Sequence, residues 1–163
     1  MKTLLIVWHS RTGGARQMAE AAARAAGAVG EVSVILTRAE KTSADDLLQA
    51  DGYLFVAPEN LASLSGPMKD FFDRNYYPVL DRLNGRPYAL LVCAGSDGSG
   101  AERQMRRICT GWRLREVAPA IVVNTDAQTR ERILAPKAIA EDQLARCAEA
   151  GAALAAGLAA GVF

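Results

Sequence analysis

Ser10, Thr12, Gly13, Gly14 and Ala15 are the residues whose types and spacing carry the clearest chemistry in this chain. They fall in the stretch Trp8-His9-Ser10-Arg11-Thr12-Gly13-Gly14-Ala15, after the apolar run Leu4–Val7 and ahead of an alanine-rich run from Ala15 to Ala26. A strand, a turn of hydroxyls and glycines, and then a helix form a natural anion cradle. The first N–H groups of a helix lack intrahelical acceptors and sit at the positive end of its dipole. Glycine lets backbone approach a phosphate with no side chain between them. Ser10 and Thr12 can donate from hydroxyls, Gly13 to Ala15 from the backbone, and Arg11 can either assist or stay solvated. The spacing is neither that of a P-loop nor GxGxxG. A plain capped strand-to-helix turn is the bland alternative.

Two further loops carry polar chemistry after apolar runs. Pro58-Glu59-Asn60-Leu61-Ala62-Ser63-Leu64-Ser65-Gly66 is long, part apolar and part hydroxylic, and could cover the edge of a flat heterocycle. Glu59 in it is expected to point outward. Ala94-Gly95-Ser96-Asp97-Gly98-Ser99-Gly100 has three glycines in seven residues, which suggests backbone lying against a ligand; a flexible surface loop is the alternative. His9, the only histidine, is expected to be structural rather than a general acid. Cys93, at a strand end, is expected to be buried packing rather than a nucleophile.

The elements that must position these loops follow from periodicity. Thr3–Trp8, Val32–Leu36, Tyr53–Ala57, Tyr88–Cys93 and Ala120–Asn124 read as strands, and their near-continuous hydrophobicity suits a parallel sheet covered on both faces. Helical stripes lie between them. Ser43 caps a short helix to Gln49, Ser65-Gly66-Pro67 starts a helix with Met68, Phe71 and Phe72 inward, and Met105, Ile108, Cys109 and Trp112 share another face. Leu144, Cys147, Ala148, Gly151, Leu154 and Leu158 form a long C-terminal seam. Repeated β-α units imply a doubly wound sheet with right-handed crossovers, whose ligands bind beyond the carboxyl ends of the strands.

The bulk numbers bound the rest. A chain of 163 residues, 50% hydrophobic and 23% charged, suits one domain over 1–163. A net charge of +1 speaks against nucleic-acid binding. Three cysteines with no CxxC indicate neither a disulfide framework nor a zinc site, and a reducing cytoplasm is the simpler setting. Met1-Lys2-Thr3 and the five apolar residues after it are too short for a signal peptide, and the uncharged tail from Ala150 to Phe163 is too short to span a membrane.

Together the three loops resemble a known family. Ser10-x-Thr12-Gly13 is similar to the FMN-phosphate loop of flavodoxin-like proteins. Pro58 through Ser63-Leu64-Ser65-Gly66-Pro67-Met68-Lys69-Asp70-Phe71-Phe72-Asp73 resembles the flavin loop and following helix of NAD(P)H-dependent FMN reductases and tryptophan-repressor-binding-protein-like quinone oxidoreductases. The resemblance implies a flavodoxin-like three-layer α/β sandwich with a five-stranded parallel sheet, order 2-1-3-4-5. It also implies FMN as cofactor. Ser10, Arg11, Thr12, Gly13, Gly14 and Ala15 would meet the phosphate; Pro58, Glu59, Asn60, Leu61, Ala62 and Ser63 the ring; Ala94, Gly95, Ser96, Gly98 and Gly100 its pyrimidine edge. NAD(P)H is the implied co-substrate, with a quinone, free flavin or similar small molecule as acceptor, in a homodimer or homotetramer. The chain departs from the family pattern where Gly14 and Ala15 replace Asn and Thr, where Leu61 replaces an aromatic, and in an Ala94–Gly100 loop without aromatics. Weaker flavin retention is the expected consequence. Near-neutral charge and an uncovered ring face favour a two-electron oxidoreductase over a flavodoxin-type shuttle. A flavodoxin-fold binding protein without turnover is the third possibility.

Overall fold

The computed structural model describes residues 1–163. In chain order its elements are β1 (Lys2–Trp8), α1 (Gly14–Ala28), β2 (Val32–Arg38), a 3-10 turn (Ala39–Lys41), α2 (Ala44–Gln49), β3 (Gly52–Asn60), β4 (Ser63–Leu64), α3 (Gly66–Val79), β5 (Pro87–Ala94), α4 (Ser99–Gly111), β6 (Arg115–Glu116), β7 (Ile121–Asn124), α5 (Arg130–Leu134) and α6 (Glu141–Ala159). The parallel strands run β2-β1-β3-β5, with β6 and β7 both pairing β5 on its far side. The fold is a flavodoxin-like α/β sandwich with helices on both faces.

Alternation along each strand explains why the runs are apolar throughout. Leu4 and Ile6 of β1, Leu54 and Val56 of β3, and Leu91 and Cys93 of β5 belong to one core, beneath α1 and α6. Leu5 and Val7, Tyr53 and Phe55, and Leu90 and Val92 point the other way, into a core with Met68, Phe71, Phe72 and Met105. A residue on either face is thus buried, so no polar face survives in the pattern. On α1, Ala15, Ala19, Ala22 and Ala26 are buried, small side chains that bring this helix close to the sheet and α6.

The strand expected at Ala120–Asn124 is present as β7, pairing Leu91 to Ala94, and a short β6 that pairs Pro87 and Tyr88 precedes it, with Pro119 in the step between them. Proline has no N–H for the ladder, so the pairing breaks there. One expectation is corrected. Val32–Leu36 belongs to a strand that is not covered on both faces. As the sheet edge, β2 leaves Ile35 and Leu36 partly exposed at 42% and 39%. No helix is long and apolar enough to cross a membrane.

Candidate functional site

The three loops singled out in the sequence meet at the carboxyl end of β1, β3 and β5. The first joins β1 to α1. Of the N–H groups from Ser10 through Arg16, only that of Gly13 has a protein acceptor, the Ser10 hydroxyl at 3.1 Å. The others form an open nest at the positive end of a 15-residue helix. The Thr12 hydroxyl makes no bond within the protein. Ser10, Arg11, Thr12 and Gly13 line a depression of about 370 Å3 that also takes in Trp8, Arg16 and Arg38. This donor set fits a dianionic phosphate.

Gly14 and Ala15 keep their N–H groups free, as backbone donors require, and both are buried, with the Ala15 side chain turned into the core. A Cβ on Gly14 would lie 2.5 Å from Cys93 Sγ and 3.4 Å from Ile139 Cδ1. The glycine is there because β5 and the segment before α6 press against the loop from behind. That segment also clamps it: Lys137 N donates to Thr12 O at 2.8 Å, and the Gln17 side chain bridges to Lys137 O and Ile139 N. Cys93 is buried there, and its thiol is pushed up to about 11 by desolvation, so it packs as a neutral group.

The second loop is a tight hairpin, not a long irregular connection. Residues Pro58–Asn60 complete β3, which turns through Leu61 and Ala62 into β4, pairing Glu59 with Leu64 and Asn60 with Ser63. Leu61 and Ala62 have φ of +51° and +60°, the left-handed pair of a two-residue type I′ turn. Leu61 stands fully exposed at its tip. Neither the Leu61 nor the Ala62 N–H has a backbone acceptor.

Glu59 does not point outward. Its carboxylate accepts from the N–H groups of Gly98 at 2.9 Å, Gly100 at 3.0 Å and Ala101 at 3.1 Å, capping α4 from another strand. Gln104 answers from α4, where its Oε1 accepts from the Ser63 hydroxyl and Leu64 N. A Cβ on Gly100 would overlap the Ala62 carbonyl, so hairpin and helix touch backbone to backbone. The N–H groups of Gly98 and Gly100 are therefore engaged and cannot serve a ring edge.

The third loop is held from its other side as well. Ala94 O and Gly95 O accept from Thr125 N and Ala127 N, each at 2.8 Å, and Ser96 O accepts from the Asn124 side chain. What stays free are the N–H groups of Gly95, Ser96 and Asp97. Any donor to a ligand edge comes from these three, of which Asp97 is a residue the sequence reading passed over.

His9 links the first two loops. It is 5% exposed, its backbone N–H donates to Val56 O, and its Nδ1 lies 2.8 Å from the Ser65 hydroxyl, just before α3. Desolvation lowers its pKa, the Glu40 carboxylate opposes that, and Arg11 and Arg38 add to the lowering. The ring is thus neutral at pH 7, a structural tie as expected. The residues the sequence missed are Trp8, Arg16 and Arg38 around the depression at the start of α1, and Gln17, Gln104 and Leu134–Ile139 that hold the loops. Arg38 lies over the Trp8 ring, its Cζ 5.4 Å from the ring centroid, and pairs Glu40 at 2.9 Å.

Comparison with known proteins gives the family and the fold. Residues 39–128 match the family model described as NADPH-dependent FMN reductase, a span that includes the hairpin and the Ala94–Gly100 loop. A flavodoxin of Aquifex aeolicus (strain VF5) is 33% identical over 100 residues, covering 61% of this chain and 52% of its own length. An NAD(P)H dehydrogenase (quinone) of Acidithiobacillus ferrooxidans (strain ATCC 53993 / BNL-5-31) is 28% identical over 124 residues, covering 63% of this chain and 62% of its own length. The chain thus spans between about half and three-fifths of these curated relatives. Among solved structures, an archaeal flavodoxin superposes with a TM-score of 0.77 at 17% identity, over 96% of this chain and 98% of that one.

Proposed function

We propose that this chain, which belongs to the NADPH-dependent FMN reductase family, binds FMN and uses NAD(P)H to reduce a small acceptor such as a quinone or free flavin. The observation that carries the reading is the set of unpartnered N–H groups of Ser10, Arg11, Thr12, Gly14, Ala15 and Arg16 beside the free Thr12 hydroxyl. A phosphate there would meet backbone donors, a helix dipole and the guanidinium groups of Arg11 and Arg16.

When bound, FMN supplies the hydride chemistry, accepting two electrons and passing them on. The protein binds and orients. Ser10 fixes the nest by holding Gly13, and Thr12 donates outward. Gly95, Ser96 and Asp97 present free N–H groups to the pyrimidine edge, where they would stabilise negative charge on a reduced ring. Glu59 turns its carboxylate to the α4 N-terminus, where three N–H groups meet it. No aromatic side chain lies in either framing loop, so one ring face stays open for a nicotinamide or an acceptor.

A flavodoxin-type electron shuttle is the second reading, favoured by the 33% identical flavodoxin relative. An absorbance spectrum of the purified, FMN-reconstituted protein, followed by NADPH or NADH addition under air with a quinone, separates the two. Flavin bands with steady dinucleotide consumption support the enzyme; bands without consumption support the shuttle. No flavin bands after reconstitution would sink both. Thr12→Ala should weaken FMN binding about fivefold, the ~1 kcal/mol of one hydrogen bond; unaltered affinity would mean that Thr12 does not face the phosphate.

A further inference from the structure

We infer that Arg103 and Arg107 grip the 2′-phosphate of NADPH and give this site its preference over NADH; the inference rests on the reading of the chain as an NAD(P)H-dependent flavin enzyme. Both are exposed and lie one turn apart on α4, so their guanidinium groups share a face. Arg106, between them in sequence, is engaged by Glu102 at 2.8 Å and Glu116 at 2.9 Å. Arg103 and Arg107 have no carboxylate within ion-pair distance. Two like charges spaced i, i+4 on a helix repel, an arrangement that an anion between them relieves.

The pair opens onto a depression of about 440 Å3 whose remaining wall is the hairpin turn at Ala62 and Ser63 and the α4 start at Ser99 and Gly100. That wall is preformed, since Glu59 and Gln104 tie hairpin to helix and Gly100 lies against the Ala62 carbonyl. Asp97 stands at the rim with its carboxylate taken up by the Ser99 hydroxyl at 2.6 Å. The depression is thus open to solvent and bordered by two unpaired guanidinium groups.

Its place fits the dinucleotide as well. The hairpin turn and the loop that border this depression are the ones proposed to frame the FMN ring. A dinucleotide whose nicotinamide met the ring there would have its adenosine half within reach of α4. The phosphate of FMN is served separately, by the nest at α1. Guanidinium forks suit a dianionic phosphate ester through paired N–H donors, and NADH offers a hydroxyl in its place.

The test uses FMN-loaded protein and the ratio of kcat/KM for NADPH over NADH, which cancels differences in folding and flavin loading. The native protein should favour NADPH at least tenfold. In R103Q/R107Q the ratio should fall at least tenfold, with each single variant part-way and R103K/R107K between, because lysine keeps charge without the fork. Calorimetric titration should show 2′,5′-ADP binding weakened in the double variant to the level of 5′-AMP. An active enzyme whose ratio and 2′,5′-ADP affinity are the same in native and double-variant forms overturns the inference alone. A protein that binds FMN yet oxidises neither dinucleotide overturns the enzyme reading, and this inference with it.

Discussion

Glu59→Ala removes the carboxylate that joins the hairpin to α4. Three N–H donors, from Gly98, Gly100 and Ala101, lose their acceptor at once. Hydrogen bonds to a charged group contribute about 1.5–3 kcal/mol each when buried. Glu59 is half-buried, and water can replace part of the loss, so about 1 kcal/mol per bond is the working figure, roughly 3 kcal/mol in all with the helix-dipole contribution included. For a chain of this size 1 kcal/mol moves the unfolding midpoint by about 2–4 °C, so Glu59→Ala should lower Tm by roughly 6–12 °C. Glu59→Gln keeps one oxygen, which can still serve Gly100 and Ala101, while its amide meets the Gly98 N–H donor to donor. Its cost should be about half as large, from one lost bond and the lost charge. Far-UV circular dichroism melts, with FMN fluorescence quenching in parallel, read both effects. FMN affinity should fall in the same order, because a hairpin freed from α4 no longer holds its distance from the Ala94–Gly100 loop. A Glu59→Ala midpoint within about 2 °C of native would refute the capping argument.

Three other outcomes are expected. Gly14→Ala should destabilise by about 1–3 kcal/mol through overpacking against Cys93 Sγ and weaken FMN binding, and Cys93→Ala in the same chain should restore much of both; a double-mutant cycle showing simple additivity would break the link. The turn Leu61-Ala62 holds two non-glycine residues in the left-handed region, so Leu61→Asn with Ala62→Gly should raise stability by about 1–2 kcal/mol in urea unfolding; no gain would mean that the turn is unstrained. His9 has a folded pKa below its ordinary 6.5, so its contribution to stability is present above that pH and is lost as pH falls toward the folded value. His9→Gln should therefore flatten the fall in urea midpoint between pH 7 and pH 5, and a native-like slope in the variant would count against desolvation as the cause.

Much of the site's outline is legible in the residues themselves. Ser10-x-Thr12-Gly13 after a strand and before a helix is a local signal, and the structure leaves the Ser10 and Thr12 N–H groups open while Gly13 donates to the Ser10 hydroxyl. Ser43 caps α2 with a full capping box, as its place before Ala44–Gln49 predicts. Other readings fail for want of any local trace. Pro58–Gly66 looks long and irregular because Leu61 and Ala62 are poor turn residues by type; only pairing with β4 reveals the hairpin. Glu59 reads as a surface carboxylate because its acceptor role depends on a helix start 39 to 42 positions away.

The sequence by itself determined the β-α alternation and the loop of hydroxyls and glycines that opens α1, since each rests on periodicity or on neighbours within a few residues, whereas the strand order came from the family resemblance. Tertiary structure alone decided which donors stay free. Glu59 engages the Gly98, Gly100 and Ala101 N–H groups from β3, while those of Gly95, Ser96 and Asp97 meet no acceptor. A backbone donor serves a ligand only when no other part of the chain has claimed it, and that depends on which distant segments the fold brings beside it.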